Sequence, residues 1–277
     1  MPIRERFQHG AISAIRVGRF AFGINTTFIL YRIDDTLIDT GPNNQWASVR
    51  PFIDEDPVRQ VLLTHHHEDH SGNAARIAQH CDLLPYAPPQ CQAKLAQGFA
   101  TPLLQRMIWG KPVGVKTQPW PEVLQLSDGA QIIPVHTPGH AKDLHCFHIP
   151  AHGVLFTGDL YIARSIRFLR SDEDLSLIIS SIRHVLTLEF DTLLCAHSGV
   201  ISQGKEKLAQ KLDYILDLCE RAQALHAQGL DTDQIVPHLL GNEGIASRLS
   251  GYNFSKRNLI QQALRVPLAQ LSETVEG

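Results

Sequence analysis

The chain has 277 residues, 43% of them hydrophobic, which suffices for one large core, alone or with a small appended unit. Its formal charge of −3 excludes the strongly basic balance of proteins that bind nucleic acid or anionic membranes over their whole surface. The charged N-terminal segment lacks the apolar run of a signal peptide, and no window approaches about 18 uninterrupted apolar residues, so we predict a cytoplasmic protein that does not cross a membrane. Five scattered cysteines without a C-x-x-C pair fit reduced thiols in that compartment.

Strand patterns fill the first part of the chain. Four β-rich runs between residues 11 and 63 are separated by turn residues and predict strands: AISAIRVG, NTTFILYRID, DTLIDTG and RQVLLT. A histidine cluster follows, and then the helical spacing of SGNAARIAQHC, for which Ser71 or Asn73 can provide the N-cap. Residues 82–120 are rich in proline, and we predict one helix near 89–99 within a variable connection.

The second half repeats this order and then turns helical. Strands are predicted in AQIIPVHT, LHCFHIPA, GVLFTGD and FDTLLCAHSG. Before the last of them, SDEDLSLIISSIRHVL predicts a helix that Ser171 or Asp172 would cap, with one apolar face of Leu175, Ile178, Ile179, Ile182 and Leu186. Three helical segments follow residue 204. We therefore predict a catalytic domain over 1–204 and a helical extension over 205–277.

The stretch THHHEDHSG concentrates titratable side chains directly behind an apolar strand. Alternate residues at a strand end point to the same side, so His65 and His67 can reach one metal ion. Asp69 and His70 lie further along and can face a second ion. His66 and Glu68 then point away, toward solvent or an outer layer of the site.

The remaining ligands must come from distant parts of the chain, because two or three donors do not complete a metal site. Three further polar residues follow predicted strands: His140 in HTPGH, Asp159 in LFTGD and His197 in LLCAHSG. All three would emerge along one edge of a sheet. We predict that a metal site is built at that edge.

In this order, H-x-H-x-D-H, TPGH, TGD and AHSG resemble the motif set of the metallo-β-lactamase superfamily, from LIDTG at Leu37 to Gly199. The resemblance implies a mixed α/β fold, the four-layer αβ/βα sandwich, here extended by C-terminal helices. It assigns His65, His67 and His140 to the first metal. It assigns Asp69, His70 and His197 to the second, with Asp159 bridging the two, and it makes Asp39 the support of a ligand histidine.

Two divalent ions held this way predict hydrolysis. With Asp69, Asp159 and one bridging hydroxide they leave a charge of about +1, which favours an anionic substrate and a developing oxyanion. Metal coordination lowers the pKa of water from about 15.7 toward about 7 and provides the hydroxide nucleophile. Asp69 is the expected catalytic residue, orienting the nucleophile or moving its proton. We predict a small ester, thioester or lactone as the substrate.

The donor set favours zinc, while iron and manganese stay open. Diiron oxygen-reducing relatives typically carry glutamate at the position of His67, so histidine favours hydrolysis here. A mononuclear iron oxidoreductase, similar to persulfide dioxygenases, and a non-catalytic metal-binding scaffold are the alternatives from other classes.

A phosphodiesterase or nuclease of the same fold is a further alternative, because the C-terminal segments faintly resemble a winged-helix unit. Lys256, Arg257 and Arg265 are few for a surface that follows phosphates. We expect those helices to form a pocket wall or a homodimer contact instead.

Several other polar residues are not assigned to the site. His136 is read as a core or surface residue rather than the partner of a ligand, and His145 and His148 as non-ligands. Four residues follow Asp159 closely: Tyr161, Arg164, Arg167 and Arg170. They fit two interpretations equally well, contact with an anionic substrate and a solvated basic face. Residues that bind the substrate therefore stay unassigned.

Overall fold

The computed structural model describes residues 3–20 and 26–272. The chain forms two compact units. The first consists of Met1–His136, Asp143–Ile162 and Phe190–Gln203, and the second of Thr137–Lys142, Ala163–Glu189 and Gly204–Gly277. The predicted domains of 1–204 and 205–277 stay a prediction, and the second compact unit contains two earlier segments besides the C-terminal helices.

A five-stranded sheet opens the first unit, with its strands in chain order. Its strands pair antiparallel except for the last two, which are parallel. The strands are β1 Ile3–His9, β2 Ile12–Gly18, β3 Thr27–Ile33, β4 Thr36–Ile38 and β5 Gln60–Leu62. The strands predicted between 11 and 63 are confirmed. The sequence analysis missed β1, because IRERFQH alternates charged residues in the manner of an edge strand.

The second sheet of the first unit has six strands in the order β12-β11-β9-β8-β7-β6. Within it, β9 and β11 run parallel and the other neighbours antiparallel. The strands are β6 Leu124–Gln125, β7 Gln131–His136, β8 His145–Ile149, β9 Val154–Gly158, β11 Thr192–Cys195 and β12 Gly199–Ile201. All four strands predicted in the second half are confirmed.

Strand β3 shows how the two sheets and the helices share the core. Every residue of β3 is buried, and alternate side chains enter different clusters. Phe28 and Leu30 pack with helices, whereas Ile29 and Tyr31 pack against the second sheet, where the Tyr31 and Phe156 rings lie 5.5 Å apart. The helices of this unit are α1 Trp46–Ile53, α2 Ala74–Cys81, α3 Gln92–Gln97 and α4 Leu103–Trp109.

The second unit consists mainly of helices, with one small two-stranded sheet of β10 Leu169–Arg170 and β13 Phe254–Ser255. Its helices are α5 Leu175–Leu186, α6 Gly204–Ala227, α7 Thr232–Leu240, α8 Ile245–Leu249, α9 Lys256–Arg265 and α10 Leu268–Ser272. The apolar face predicted for α5 is buried. Throughout the part of the chain that is described, each helix is too short or too polar to cross a bilayer.

The predicted N-cap of α5 was wrong. Asp174 caps the helix, and its side chain accepts a hydrogen bond from the backbone N of Leu177. Asp172 instead pairs with the Arg170 guanidinium at 2.8 Å, and Ser171 hydrogen-bonds Asn253. Because both predicted caps are engaged in other contacts, the helix begins later than the sequence pattern indicates.

Beside the histidine cluster, the backbone packs too closely around Gly72 to leave room for a side chain. A Cβ there would lie 2.4 Å from the carbonyl oxygen of Glu68 and 2.5 Å from the backbone N of Asn43, and backbone atoms cannot rotate away. We expect Gly72→Ala to lower the free energy of unfolding by about 3 kcal/mol. Gly244→Ala is the control, because its Cβ meets open space. Urea denaturation checks this, and equal midpoints for the two variants would contradict it.

Candidate metal centre

Candidate ligands of the first unit emerge where parallel strands end. Asp39 follows β4 and the stretch from His65 to His70 follows β5, its parallel neighbour. In the second sheet, Asp159 follows β9 and His197 follows β11, again parallel neighbours. Since parallel strands end at the same edge of a sheet, each sheet delivers its polar side chains to one place.

The first unit brings six of the seven predicted ligands into two groups. Within each group, one donor atom from every residue lies within 4.8 Å of the others: His65, His67 and Asp159 in one group, and Asp69, His70 and His197 in the other. Asp159 also reaches the second group, because its Oδ1 lies 3.2 Å from His70 Nε2 and 3.3 Å from His197 Nε2. Its carboxylate is thus the shared member.

Hydrogen bonds orient His70 and His197 toward the centre through the same ring nitrogen. His70 Nδ1 lies 2.7 Å from Asp39 Oδ2, and His197 Nδ1 lies 2.9 Å from the carbonyl oxygen of Thr27. Both oxygens can only accept, so each Nδ1 carries a proton. In the neutral rings, Nε2 then offers its lone pair to a ligand, as metal-binding histidines generally do.

Thr64 connects Asp39, which orients His70, to His65 of the first group. Its hydroxyl lies 2.8 Å from Asp39 Oδ2 and 3.0 Å from His65 Nδ1, and its backbone N donates to Asp39 Oδ1 at 2.7 Å. A hydroxyl that donates to the carboxylate can accept from His65. This leaves His65 Nε2 facing His67 Nδ1, 2.9 Å away.

Carboxylates dominate the charge of the centre. Burial by itself lowers the pKa of His70, but Asp39, Asp159 and Asp69 outweigh it and hold that pKa well above its ordinary value. Burial likewise opposes the charge of His197, and Asp159 and Asp69 raise its pKa. The buried negative charge therefore requires protons or a cation for compensation.

The residues present fit divalent metal ions. His70 Nε2 is buried and makes no hydrogen bond within residues 3–20 and 26–272, although Asp159 Oδ1 is nearby. An imidazole nitrogen with a lone pair directed into a cluster of carboxylates is a metal donor by its chemistry. Imidazoles and carboxylates without cysteine suit zinc, iron and manganese.

His140 belongs to the second unit, on its segment Thr137–Lys142. There its Nδ1 lies 2.5 Å from Glu173 Oε1, and the carbonyl oxygen of Gly139 accepts from the backbone N of Asp174. Glu173 is buried, and it orients His140 as Asp39 orients His70. The place of His140 in the first ligand group stays a prediction.

The two residues predicted to point away from the centre are more engaged than expected. His66 Nδ1 lies 2.8 Å from Asp143 Oδ1 and its Nε2 lies 2.6 Å from Lys94 Nζ. Glu68 is 5% exposed, so of its two predicted positions, solvent or an outer layer of the site, its burial agrees with the outer layer. Both side chains lie in a packed loop, because the chain between the ligands folds into a turn rather than continuing as a strand.

Other histidines lie outside both groups, in agreement with the sequence analysis. His136 is exposed and stacks on His145 at 4.8 Å, and His148 is buried beside the Phe190 ring. Among the residues after Asp159, Arg170 is engaged by Asp172 and Tyr161 is buried. Arg164 and Arg167 are exposed, and contact between them and a substrate stays a prediction.

Four supporting residues escaped the sequence analysis: Thr64, Lys94, Asp143 and Glu173. Thr64 directly precedes the cluster and completes T-H-H-H, a position that could have been considered. The other three lie 28 to 77 positions along the chain from their histidine partners. No local sequence pattern points to them.

Comparison with known proteins places this geometry in a family. Residues 19–197 match the family model of the metallo-beta-lactamase superfamily. The chain is 29% identical over 212 residues to thioesterase pkgB of Emericella nidulans, covering 74% of this chain and 54% of that protein. It is 26% identical over 268 residues to an atrochrysone carboxyl ACP thioesterase of Passalora fulva, covering 90% and 72%. The chain thus spans about half the length of the first of these relatives.

Solved structures agree on the fold. A beta-lactamase domain protein from Burkholderia ambifaria superposes with a TM-score of 0.72 and 19% identity, covering 94% of this chain and 87% of that one. At this identity the likeness concerns the fold alone, and it confirms the predicted fold class. Because the family model matches more than half of the chain, from before β3 to the end of β11, and includes the residues of the two donor groups, the chain belongs to the metallo-beta-lactamase superfamily.

Proposed function

We propose that this protein is a metal-dependent hydrolase that cleaves a thioester. The observation that carries the proposal is the pair of buried donor groups that share Asp159. A non-catalytic scaffold has no need for two such groups with separately supported histidines. The relatives named above are called thioesterases, which favours a thioester over the other carbonyl substrates.

In this proposal His65, His67 and His140 hold one metal ion, Asp69, His70 and His197 hold the other, and Asp159 contacts both. Zinc is the proposed metal, since the donors are nitrogen and oxygen and the chemistry needs no redox change. When bound, two divalent ions supply Lewis acidity and water of lowered pKa. We also retain the expectations of a small-molecule substrate, of a cytoplasmic protein, and of C-terminal helices that form a pocket wall or a homodimer contact.

The protein's own side chains divide the remaining work. Asp39 is enclosed, with 3% of its side chain exposed, whereas Asp69 keeps 12%. Of these two carboxylates, Asp69 is therefore the one with access to solvent, which suits it to accept and return the proton of the attacking water. Asp39 acts through His70, by holding its ring and its Nδ1 proton in place.

An apolar acyl group is compatible with the surface beside the centre. The Trp109 ring of α4 lies 6.5 Å from the His197 ring. On the same helix, Leu103 and Met107 are exposed one turn apart. At 3.6 residues per turn these two side chains lie on the other side of α4 from Trp109, so of the three it is the Trp109 ring that is near His197 and could meet the acyl part of the substrate.

Hydrolysis of nucleic acid is less well supported. Lys256 Nζ donates to the carbonyl oxygens of Leu240 and Asn242, at 2.6 and 2.8 Å, and Arg257 pairs with Asp233 at 3.3 Å. Two of the three cations considered for phosphate contact are thus engaged within the second unit. Phosphate binding needs several available cations.

A hydrolysis panel tests the proposal. Zinc-loaded protein is assayed with pantetheine thioesters of acetyl and longer or aromatic acyl groups, glutathione thioesters, p-nitrophenyl esters, lactones and bis-p-nitrophenyl phosphate. We expect the pantetheine thioesters to give the highest kcat/KM, and an excess of chelator to abolish turnover. Turnover of the phosphodiester alone would contradict the proposal in favour of a nuclease, and iron with oxygen uptake would favour an oxidoreductase.

Metal affinity should rise with pH. The raised pKa values of His70 and His197 mean that the metal-free protein binds protons that a metal must displace. For the metal-free protein, the stability linked to these two rings is fully present below their unfolded pKa of about 6.5 and is lost as pH rises through the folded pKa. Competition with a chelator at pH 6 and pH 8 measures the affinity for metal, after correction for the protonation of the chelator itself. Equal dissociation constants at the two pH values would contradict the displacement of protons.

A further inference from the structure

His66 is the non-ligand residue between His65 and His67, and Asp143 holds it at two points. Asp143 Oδ2 accepts the backbone N–H of His66 at 2.8 Å, and Oδ1 lies 2.8 Å from the ring Nδ1 of His66. Asp143 is 3% exposed and lies two residues before β8, 77 positions from His66. Both the backbone and the ring at the centre of the metal-binding stretch are therefore fixed by one buried carboxylate.

The contact with Lys94 of α3 indicates which tautomer the neutral ring adopts. Its Nζ lies 2.6 Å from His66 Nε2, and an ammonium group has donors only. His66 Nε2 must therefore accept, so the proton of the neutral ring is on Nδ1, where Asp143 receives it. Lysine, histidine and aspartate form a chain of hydrogen bonds in which every donor meets an acceptor.

Two independent contacts keep the same stretch folded. The single hydroxyl proton of Ser71 is shared between the carbonyl oxygens of His66 and His67, at 2.7 and 3.1 Å from Oγ, and the backbone N of Ser71 also donates to the carbonyl oxygen of His67 at 2.8 Å. With Asp143 on the N–H of His66, the backbone around His65 and His67 is held from both sides. Side chains whose positions are set by such outer contacts bind metal more tightly, typically by about 10- to 100-fold.

We infer that Asp143 is a positioning residue for the metal site, acting through His66, and that Lys94 fixes the His66 tautomer this requires. The inference rests on the proposed metal site, since its effect is exerted on His65 and His67. It assigns a role to the residue between two ligands, which the motif alone leaves as a spacer. Asp143 itself touches neither the proposed ions nor the substrate.

The Asp143→Asn variant introduces a conflict in both orientations of its amide. If the amide oxygen accepts from the His66 backbone, the amide nitrogen faces Nδ1, so the ring proton must move to Nε2 and point at the Lys94 ammonium on the exposed side of the ring. If the amide is reversed, its NH2 faces the backbone N–H of His66 beside a side chain that is 3% exposed in the native protein. In either orientation two donors oppose each other, and the second orientation places them where water has little access.

Lys94→Gln removes that conflict. A glutamine amide can donate to Nε2 in the native arrangement, and after the Asp143→Asn change it can accept from Nε2–H instead. We therefore expect Lys94→Gln alone to retain metal within about twofold of the native protein. Asp143→Asn should bind metal about 10-fold more weakly or worse, and the double variant should recover most of that loss.

Metal content by elemental analysis and zinc affinity by chelator competition measure this without any substrate, so absent thioesterase activity would not affect the outcome. Asp128→Asn is the matched control, because Asp128 forms an exposed pair with His152 at 3.0 Å, and it should bind metal normally. Native affinity in Asp143→Asn, or a double variant no better than Asp143→Asn, would overturn the inference.

A spectroscopic measurement decides the same point in the native protein, even where a variant fails to fold. Long-range 1H–15N spectra of 15N-histidine-labelled protein report the tautomer of each ring, and His66→Phe identifies the His66 signals by their loss. We expect the Nδ1–H tautomer for His66. A ring protonated on Nε2 would overturn the inference.

Discussion

Asp159→Ala is expected to lose both metal ions and to reduce kcat/KM for thioesters by at least about 100-fold. Asp159 belongs to the first donor group and its Oδ1 lies within 3.3 Å of His70 Nε2 and His197 Nε2 in the second. Removing this carboxylate takes one donor from each group at once. It also removes a negative charge that raises the pKa of both His70 and His197, so the centre attracts cations less strongly.

Elemental analysis of purified protein, followed by titration with zinc, checks this prediction. Asp191→Ala provides the control, because it removes an exposed carboxylate directly before β11 and should leave two metal ions bound. A far-UV circular dichroism spectrum and a urea transition establish that Asp159→Ala is folded. Retention of both ions by the folded variant would show that Asp159 does not contact both.

The position of the donor side chains was predictable because it follows from local rules. An apolar strand ends, the next residues are polar, and alternation decides which of them share a side, as for His65 and His67. Three separate strands end in this way, and their edges coincide because β4 pairs parallel with β5 and β9 with β11. The strand pattern of the fold was predictable for the same reason, whereas polar edge strand β1 was not.

Asp39 was predicted from the family resemblance, but the other residues that orient the donor histidines were not predictable, because they reach the histidines from elsewhere in the fold. Asp143 and Glu173 contact histidines through tertiary packing. The sequence around each residue contains no local pattern that indicates its histidine partner. The N-cap of α5 shows the same limit: local propensity offers Ser171 and Asp172, and tertiary contacts to Asn253 and Arg170 engage them. Hydrogen-bond partners at long range require the structure.

Asp39→Asn should release one metal ion and keep the other, in contrast to Asp159→Ala. The Asp39 carboxylate accepts from the Thr64 backbone N at 2.7 Å, from the Thr64 hydroxyl at 2.8 Å and from His70 Nδ1 at 2.7 Å. An asparagine has one acceptor oxygen, so it cannot serve all three donors. If its NH2 faces His70, the ring proton must move to Nε2, the atom that the metal would need.

Because only His70 is redirected in this way, the loss falls on the group that contains it, with Asp69 and His197. We expect the affinity for one ion to fall by about 10- to 100-fold, while His65 and His67 continue to bind the other. Zinc titration should then show one tight and one weak site, whereas Asp35→Asn, on the exposed ion pair with Arg59, should show two tight sites. Equal weakening of both sites in Asp39→Asn would mean that Asp39 supports the whole loop through Thr64, rather than a single ligand through its ring proton.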